Sequence, residues 1–107
     1  MTIMRGDAYS VPVELKQDGK VLTPAMISEL EICVGVSLRK TFSDGDVQFD
    51  ETSSRWHFYL KQEETLRLPV TDLSVIARVK YPEPKDDVIG IKLGTIHVLD
   101  TNSRAVL

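Results

Sequence analysis

The residues of this chain best able to bind a metal ion or act as a nucleophile are Cys33, His57 and His97. A zinc site needs several such ligands at short spacings, for example two cysteines separated by two residues. Cys33 is the only cysteine, and the two histidines are far apart in the sequence. Both histidines fall on the polar side of alternating segments, where a solvated side chain is the default. The sequence therefore predicts no metal site and no cofactor.

A small group of carboxylates suggests calcium binding. Asp44 and Asp46 flank a glycine, with Asp50 and Glu51 close by, and this arrangement matches a fragment of an EF-hand calcium loop. The apolar residues that alternate after Asp46 are typical of a strand, so a tight turn between two strands explains the group better. We therefore interpret Asp44 to Asp46 as a turn.

Adjacent Glu63 and Glu64 are the nearest approach to a catalytic pair. Neighbouring residues on a helical turn direct their side chains apart, whereas an acid and base couple must face one bond together. No nucleophile, general base and orienting group can be assembled from the pattern either. The sequence predicts no catalytic residue and no enzyme activity.

The tripeptide Arg5-Gly6-Asp7 is the sequence that integrins recognise. Recognition requires an exposed loop tip, and here the tripeptide directly precedes a predicted strand. We interpret it as a shaping element for the start of that strand.

A basic and aromatic sheet surface is a further candidate site, of the kind that binds single-stranded nucleic acid. Its members alternate along two predicted strands and are Arg55, His57, Tyr59, Lys61, Arg78 and Lys80. Glu29 and Glu31 can pair with these cations across neighbouring strands, and the net charge of the chain is −3. We therefore predict a solvated outer face and no nucleic-acid partner.

The composition is that of one ordinary globular domain. The 107 residues suffice for one hydrophobic core, 42% are hydrophobic and 27% are charged. No apolar run reaches the roughly 20 residues that span a bilayer, and no signal peptide is evident. We expect a single domain over residues 1–107, with 1–7 and 100–107 as terminal segments. We also expect synthesis in a cytoplasm and no membrane partner.

The segment Arg55–Pro69 is the one around which the core is predicted to form. Trp56, Phe58 and Leu60 alternate with polar residues, which indicates a half-buried strand with the only tryptophan facing the core. A short helical turn near 61–65 follows, and Leu66 and Leu68 are predicted to resume a strand. Such a path carries a chain from one sheet of a sandwich to the other.

Similar alternation recurs along the chain and predicts an all-β fold. Pro12 has no backbone N–H to donate to a neighbouring strand, so its own strand is expected at a sheet edge. The apolar positions change parity across Gly94, which predicts a β-bulge there. About seven or eight short strands with frequent turn signals indicate an immunoglobulin-like antiparallel β-sandwich, with a small barrel as the alternative.

Several short stretches resemble small structural proteins of phages and prophages, encoded among tail and baseplate components. They read RGDAYSVPVEL, DGKVL, LEICVG, LKQEET, ARVKYPEPKDDVIGIKLGTI and VLDTNSRAVL. The chain is similar to the immunoglobulin-like N-terminal domain of upper baseplate proteins. The marks that match are Gly6-Asp7 before the first strand, the turn Gln62 to Thr65, and Ile89-Gly90 at the start of the last strand.

This resemblance implies a structural and interaction module of a tail or baseplate. Its partners would be other tail or baseplate proteins, or further copies of the chain, and it would either be incorporated into the virion or assist its assembly. The alternative is a glycan-binding or cell-surface-binding module, in which exposed Trp56 or Tyr59 stacks on a sugar ring. A small-molecule ligand is not expected.

Overall fold

The computed structural model describes all 107 residues, and strands dominate it. The only α-helix, α1, spans Gln62–Leu66, and a 3-10 turn spans Pro24–Met26. A helical turn is therefore present where the sequence predicts one, near 61–65. The strands in chain order are β1 (Thr2–Met4), β2 (Tyr9–Val13), β3 (Lys16–Gln17), β4 (Lys20–Val21), β5 (Glu29–Val34), β6 (Leu38–Thr41), β7 (Val47–Asp50), β8 (Arg55–Leu60), β9 (Asp72–Lys80) and β10 (Val88–Leu99).

Eight of these strands form two sheets that enclose one core. The larger sheet has the order β1-β10-β9-β5-β6, and the smaller has the order β2-β8-β7. The two remaining strands, β3 and β4, make a short separate hairpin. The predicted all-β sandwich of seven or eight strands is confirmed. Pro12 also lies on an edge strand, as expected, because β2 pairs only with β8.

Trp56 lies at the centre of the core. Trp56 and Phe58 project from β8 between the sheets, and neither is exposed to solvent. The indole N–H donates a hydrogen bond of 2.8 Å to the carbonyl oxygen of Leu22, so the one polar atom of the ring is satisfied. The rings of Phe42 and Phe49 meet the indole edge-on, with centroids 5.3 and 5.1 Å away. The prediction of an inward-facing Trp56 is confirmed.

The N-terminal segment differs from the prediction. The sequence pattern predicts no strand within residues 1–7, whereas β1 lies there and pairs with β10 in parallel over three residues. All other pairs in the sheets are antiparallel, so the larger sheet is mixed. Ile3 is the one buried residue of β1, and a single inward side chain is too short a pattern for alternation to reveal.

The bulge in β10 is confirmed. The register of β10 against β9 shifts between Lys92 and Gly94, which leaves Leu93 without an opposite residue. Gly94 has a φ of +147°, a conformation that side-chain-bearing residues rarely adopt. The extra residue lets Ile91 before the bulge and Ile96 after it face the same side of the sheet.

The predicted return to a strand at Leu66 and Leu68 is wrong. Leu66 is the last residue of α1, and Leu68 is buried without belonging to any strand. The backbone N–H of Leu68 bonds to the carbonyl oxygen of Thr65, which extends the helical turn instead of a ladder. Two alternating leucines are too short a pattern to establish a strand.

Gly94→Ala tests the bulge. The substitution is expected to lower the free energy of unfolding by about 1–3 kcal/mol, because alanine is strained at this φ. No atom lies within 4 Å of the added methyl group, so the loss would be purely conformational. Urea denaturation measures it. Gly90→Ala in the same strand is the control, because only the Ala77 carbonyl oxygen lies near, at 4.0 Å. Equal losses in the two variants would contradict the assignment.

Candidate functional site

The three residues with metal-binding or nucleophilic side chains do not come together. Cys33 lies in β5, His57 in β8 and His97 in β10, and no three ligand-type side chains form a group that could hold a metal ion. His57 Nδ1 is 3.0 Å from the hydroxyl of Ser10, and His97 Nδ1 bonds to the carboxylate of Asp72. Each histidine therefore has its own local partner.

Cys33 is not poised to act as a nucleophile. Burial raises the pKa of its thiol, and a hydrogen bond of 3.3 Å from Sγ to Glu31 Oε1 raises the pKa further. The thiolate, and not the thiol, is the reactive form. Cys33 consequently stays protonated and packs as a half-buried polar side chain.

The carboxylates near position 45 belong to two separate turns. Asp44 accepts a hydrogen bond of 2.7 Å from the hydroxyl of Thr41 and closes the turn between β6 and β7. Asp50 accepts hydrogen bonds from the Thr52 N–H and the Ser53 hydroxyl, at 3.0 and 2.9 Å, in the turn after β7. The predicted turn at Asp44 to Asp46 is present in the structure.

The Arg5-Gly6-Asp7 tripeptide makes its contacts inside the molecule. Arg5 donates from Nε and Nη2 to the carbonyl oxygen of Leu66, at 3.1 and 2.6 Å. The Gly6 N–H donates to the hydroxyl of Thr65 at 2.9 Å, and Asp7 accepts from a backbone N–H of β1 at 2.8 Å. The tripeptide therefore docks the N-terminal segment onto α1.

Lys40 and Glu64 form an ion pair that sequence reasoning missed. Lys40 is only 4% exposed, and its Nζ lies 2.7 Å from both carboxylate oxygens of Glu64 in α1. Glu64 also accepts a hydrogen bond of 2.9 Å from the Lys61 N–H at the start of the helix. Lys40 shares the inward alternation of Leu38 and Phe42, which is the signal that could have predicted a buried ammonium with a counter-charge.

Thr65 was missed as well. Its side chain is fully buried, and the hydroxyl donates a hydrogen bond of 2.8 Å to the carbonyl oxygen of Asp7. Together with Glu64 and Leu66 it makes α1 the joint between β6, the N-terminal segment and the end of β8. No single-residue pattern in the sequence indicates this role, because the contact partners are about sixty residues apart.

The predicted basic and aromatic surface is divided between two sheets. Arg55, His57 and Tyr59 lie on the outer face of the smaller sheet, in β8. Arg78 and Lys80 lie on the outer face of the larger sheet, in β9, on the opposite side of the sandwich. The prediction of one surface is wrong. Alternation shows on which face of its own strand a side chain lies, but not which sheet that strand joins.

Cross-strand ion pairs form on the outer face of the larger sheet, as predicted. Glu31 lies within 3.9 Å of Arg78, and it also bonds to Arg39 of β6. Glu29 is directly opposite Lys80 in the register of β5 with β9. The two ion pairs of Glu31 therefore offset part of the positive charge on this face, whereas Glu29 bonds to the Ser43 N–H.

One long stretch of β10 has no neighbour on its outer side. β1 covers β10 only at His97–Leu99, and no strand pairs with that side between Val88 and Leu93. We call the free side of Val88–Leu93 the β10 edge. Its backbone N–H and C=O groups that point away from β9 have no partner strand, so they can form a ladder with another chain.

Apolar side chains beside the β10 edge are incompletely covered. Ile89 lies opposite Val79 and Ile91 lies opposite Ala77 in the ladder with β9. Val79 and Ala77 are fully buried, whereas both isoleucines are half-buried and Val88 is 50% exposed. The core is therefore open along this edge.

No protein-family model, curated protein or solved structure matches this chain. The resemblance to upper baseplate proteins consequently stays a prediction from the sequence. Neither α1 nor the 3-10 turn has the length and apolarity needed to cross a membrane.

The Lys40–Glu64 pair is expected to make the fold sensitive to acid. Burial alone would raise the pKa of Glu64, but the hydrogen bonds from Lys40 and Lys61 outweigh it and hold the pKa below its usual range. A carboxylate with a lowered pKa stabilises the fold above its unfolded pKa of about 4.3, and this contribution is lost as the pH falls through the folded pKa.

We expect Glu64→Gln to lower the free energy of unfolding by about 1–3 kcal/mol at pH 7, because it leaves the Lys40 ammonium with a neutral partner. The deficit should begin to shrink as the pH falls below about 4.3, where Glu64 of the unfolded chain takes up a proton, and should be lost once the pH is below the lowered pKa of Glu64 in the fold. Urea denaturation at several pH values measures both. Adding Lys40→Met to Glu64→Gln should recover part of the loss, and a deficit independent of pH would contradict the ion pair's role.

Proposed function

We propose that the chain is a non-enzymatic structural and interaction module of a phage or prophage tail or baseplate, acting through protein–protein contacts. The sequence resemblance supports the phage context. The single structural observation that supports an interaction role is the β10 edge. It is six residues long and includes two half-buried isoleucines. In this proposal the chain is made in a bacterial cytoplasm and then incorporated into the virion.

The other sheet edges are less suited to pairing. β2 carries Pro12, which cannot donate to a ladder, and β1 is only three residues long. β6 ends at the Lys40–Glu64 pair, where α1 lies against it. β7 is a four-residue strand between two polar turns. The β10 edge is the longest stretch of unpaired strand in the molecule.

A partner strand would meet two complementary features at the β10 edge. Its backbone would complete the ladder, as in β-augmentation, and its side chains would cover Ile89 and Ile91. Gly90, which lies between the two isoleucines, and Lys92, which follows them, face outward. Gly90 leaves room for a large side chain of the partner. The partner is therefore an extended segment of another tail or baseplate protein, or a second copy of this chain.

The contacts around the titratable residues support a role without catalysis. The Cys33 thiol has a raised pKa, Glu64 is held by Lys40, and each histidine has a local partner.

A weak strand-to-strand contact would be sufficient in a symmetric assembly, because many copies act together.

Gly90→Lys is expected to weaken association at least about tenfold, because a lysine on an exposed edge opposes pairing. Wild-type chain is co-expressed with each product of the neighbouring genes, and light scattering after size-exclusion chromatography detects both co-assembly and self-association. Ser74→Lys is the matched control, since it adds the same charge on the outer face of β9, away from a free edge.

Two results would contradict the proposal. The interaction role fails if the wild-type chain stays monomeric and binds none of these products. The assignment to the β10 edge fails if Gly90→Lys and Ser74→Lys weaken association equally.

A further inference from the structure

The outer face of the smaller sheet carries an ordered set of polar and ring-bearing side chains. We call it the polar face, and its members are Ser10, Pro12, Gln48, Asp50, Arg55, His57 and Tyr59. Strand register sets them in three rows across the sheet. Ser10 is beside Tyr59 in the first row, Pro12, His57 and Gln48 form the second, and Arg55 is beside Asp50 in the third.

Two shallow concavities meet on this face. One is lined by Ser10, Pro12, Asp50, Ser53, Arg55 and His57, and the other by Ser10, Lys40, Gly45, Asp46, Gln48, His57, Tyr59 and Lys61. Each has a volume of about 290 Å³. They share Ser10 and His57, so they lie side by side along β8, and we call the two together the depression.

The charges along this depression nearly cancel. Arg55 at one end is opposite Asp50 in the register, and Lys61 at the other end shares its concavity with Asp46. Arg55 and Lys61 are six residues apart, which corresponds to roughly 20 Å along an extended chain. The third cation of the lining, Lys40, is paired with Glu64. No focused positive or negative field exists here, and this argues against an anion or a metal cation as the ligand.

Hydrogen-bonding groups and flat rings are interleaved on the polar face. Tyr59 is 49% exposed although it lies on the central strand of the sheet, and the exposed Pro12 ring lies one row away. Gln48 offers both donors and acceptors, and the second ring nitrogen of His57 has no partner within the protein. A hydrogen bond from Ser53 lowers the pKa of Asp50, so its carboxylate remains an acceptor at neutral pH.

We propose that the polar face is a binding site for an uncharged saccharide, with the Tyr59 ring against one face of the sugar. A pyranose presents apolar C–H groups on its flat faces and hydroxyls around its rim, which match an exposed ring surrounded by donors and acceptors. Gln48, Asp50 and His57 are the groups that bond to the hydroxyls. The face is open, so affinity for a single sugar is in the millimolar range.

The experiment is a titration of the ¹⁵N-labelled full chain, followed by NMR. The probes are the methyl glycosides of glucose, galactose, N-acetylglucosamine and rhamnose, with sorbitol as a polyol without a ring and inorganic phosphate as an anion. At least one glycoside should shift amide resonances confined to β2, β7 and β8, and sorbitol and phosphate should not.

Tyr59→Ala should weaken the binding of that glycoside at least about tenfold, whereas Tyr59→Phe should retain most of it. Ser74→Ala, on the outer face of the other sheet, is the control and should bind as wild type. Blue-shifted fluorescence of the buried Trp56 verifies that each variant is folded.

Three results would overturn the proposal: no glycoside shifts these resonances, sorbitol or phosphate shifts them equally, or Tyr59→Ala binds as wild type. The polar face and the β10 edge belong to different sheets, so loss of one function would leave the other intact.

Discussion

A buried ammonium group constrains much of this fold. Lys40 projects inward from β6, where its charge is removed from water. An isolated charge in that position would be strongly destabilising, so a carboxylate must accompany it. Both carboxylate oxygens of Glu64 contact Lys40, and Glu64 also accepts a hydrogen bond from the N–H of Lys61, the residue that caps α1. The position of the helix is thereby tied to the edge strand of the larger sheet, although the helix directly follows β8 of the smaller one.

Once α1 is held in place, its next two residues organise the N-terminal segment. Thr65 and Leu66 present a hydroxyl and a carbonyl oxygen, which bind Gly6, Asp7 and Arg5. These contacts bring β1 alongside the end of β10. A tripeptide that resembles an adhesion motif is therefore explained by internal contacts. The helical turn at Gln62–Leu66 has a physical role, because it joins the edge of the larger sheet to the N-terminal segment.

The sequence predicts those features of the fold that depend on local patterns. Alternation reveals the inward side of β8, and the parity change at Gly94 reveals the bulge. Features that depend on pairing between distant segments are not recoverable in this way. The parallel partner of β1, the Lys40–Glu64 contact and the separation of Arg55 from Arg78 all require the order of strands in the sheets, which alternation does not encode. Exposure of Tyr59 is predicted by alternation, but its row neighbours are known only from the register.

The unequal width of the two sheets accounts for where the free surfaces lie. At about 4.8 Å per strand, three strands span roughly 14 Å and five span roughly 24 Å, so the smaller sheet cannot cover every inward side chain of the larger one. The shortfall appears at the β10 edge, where Ile89 and Ile91 are half-buried beside the fully buried Val79 and Ala77. The Gly94 bulge separates this open stretch from the part of β10 that β1 covers. The first half of β10 therefore keeps a free side for another strand, on the other side of the bulge from β1.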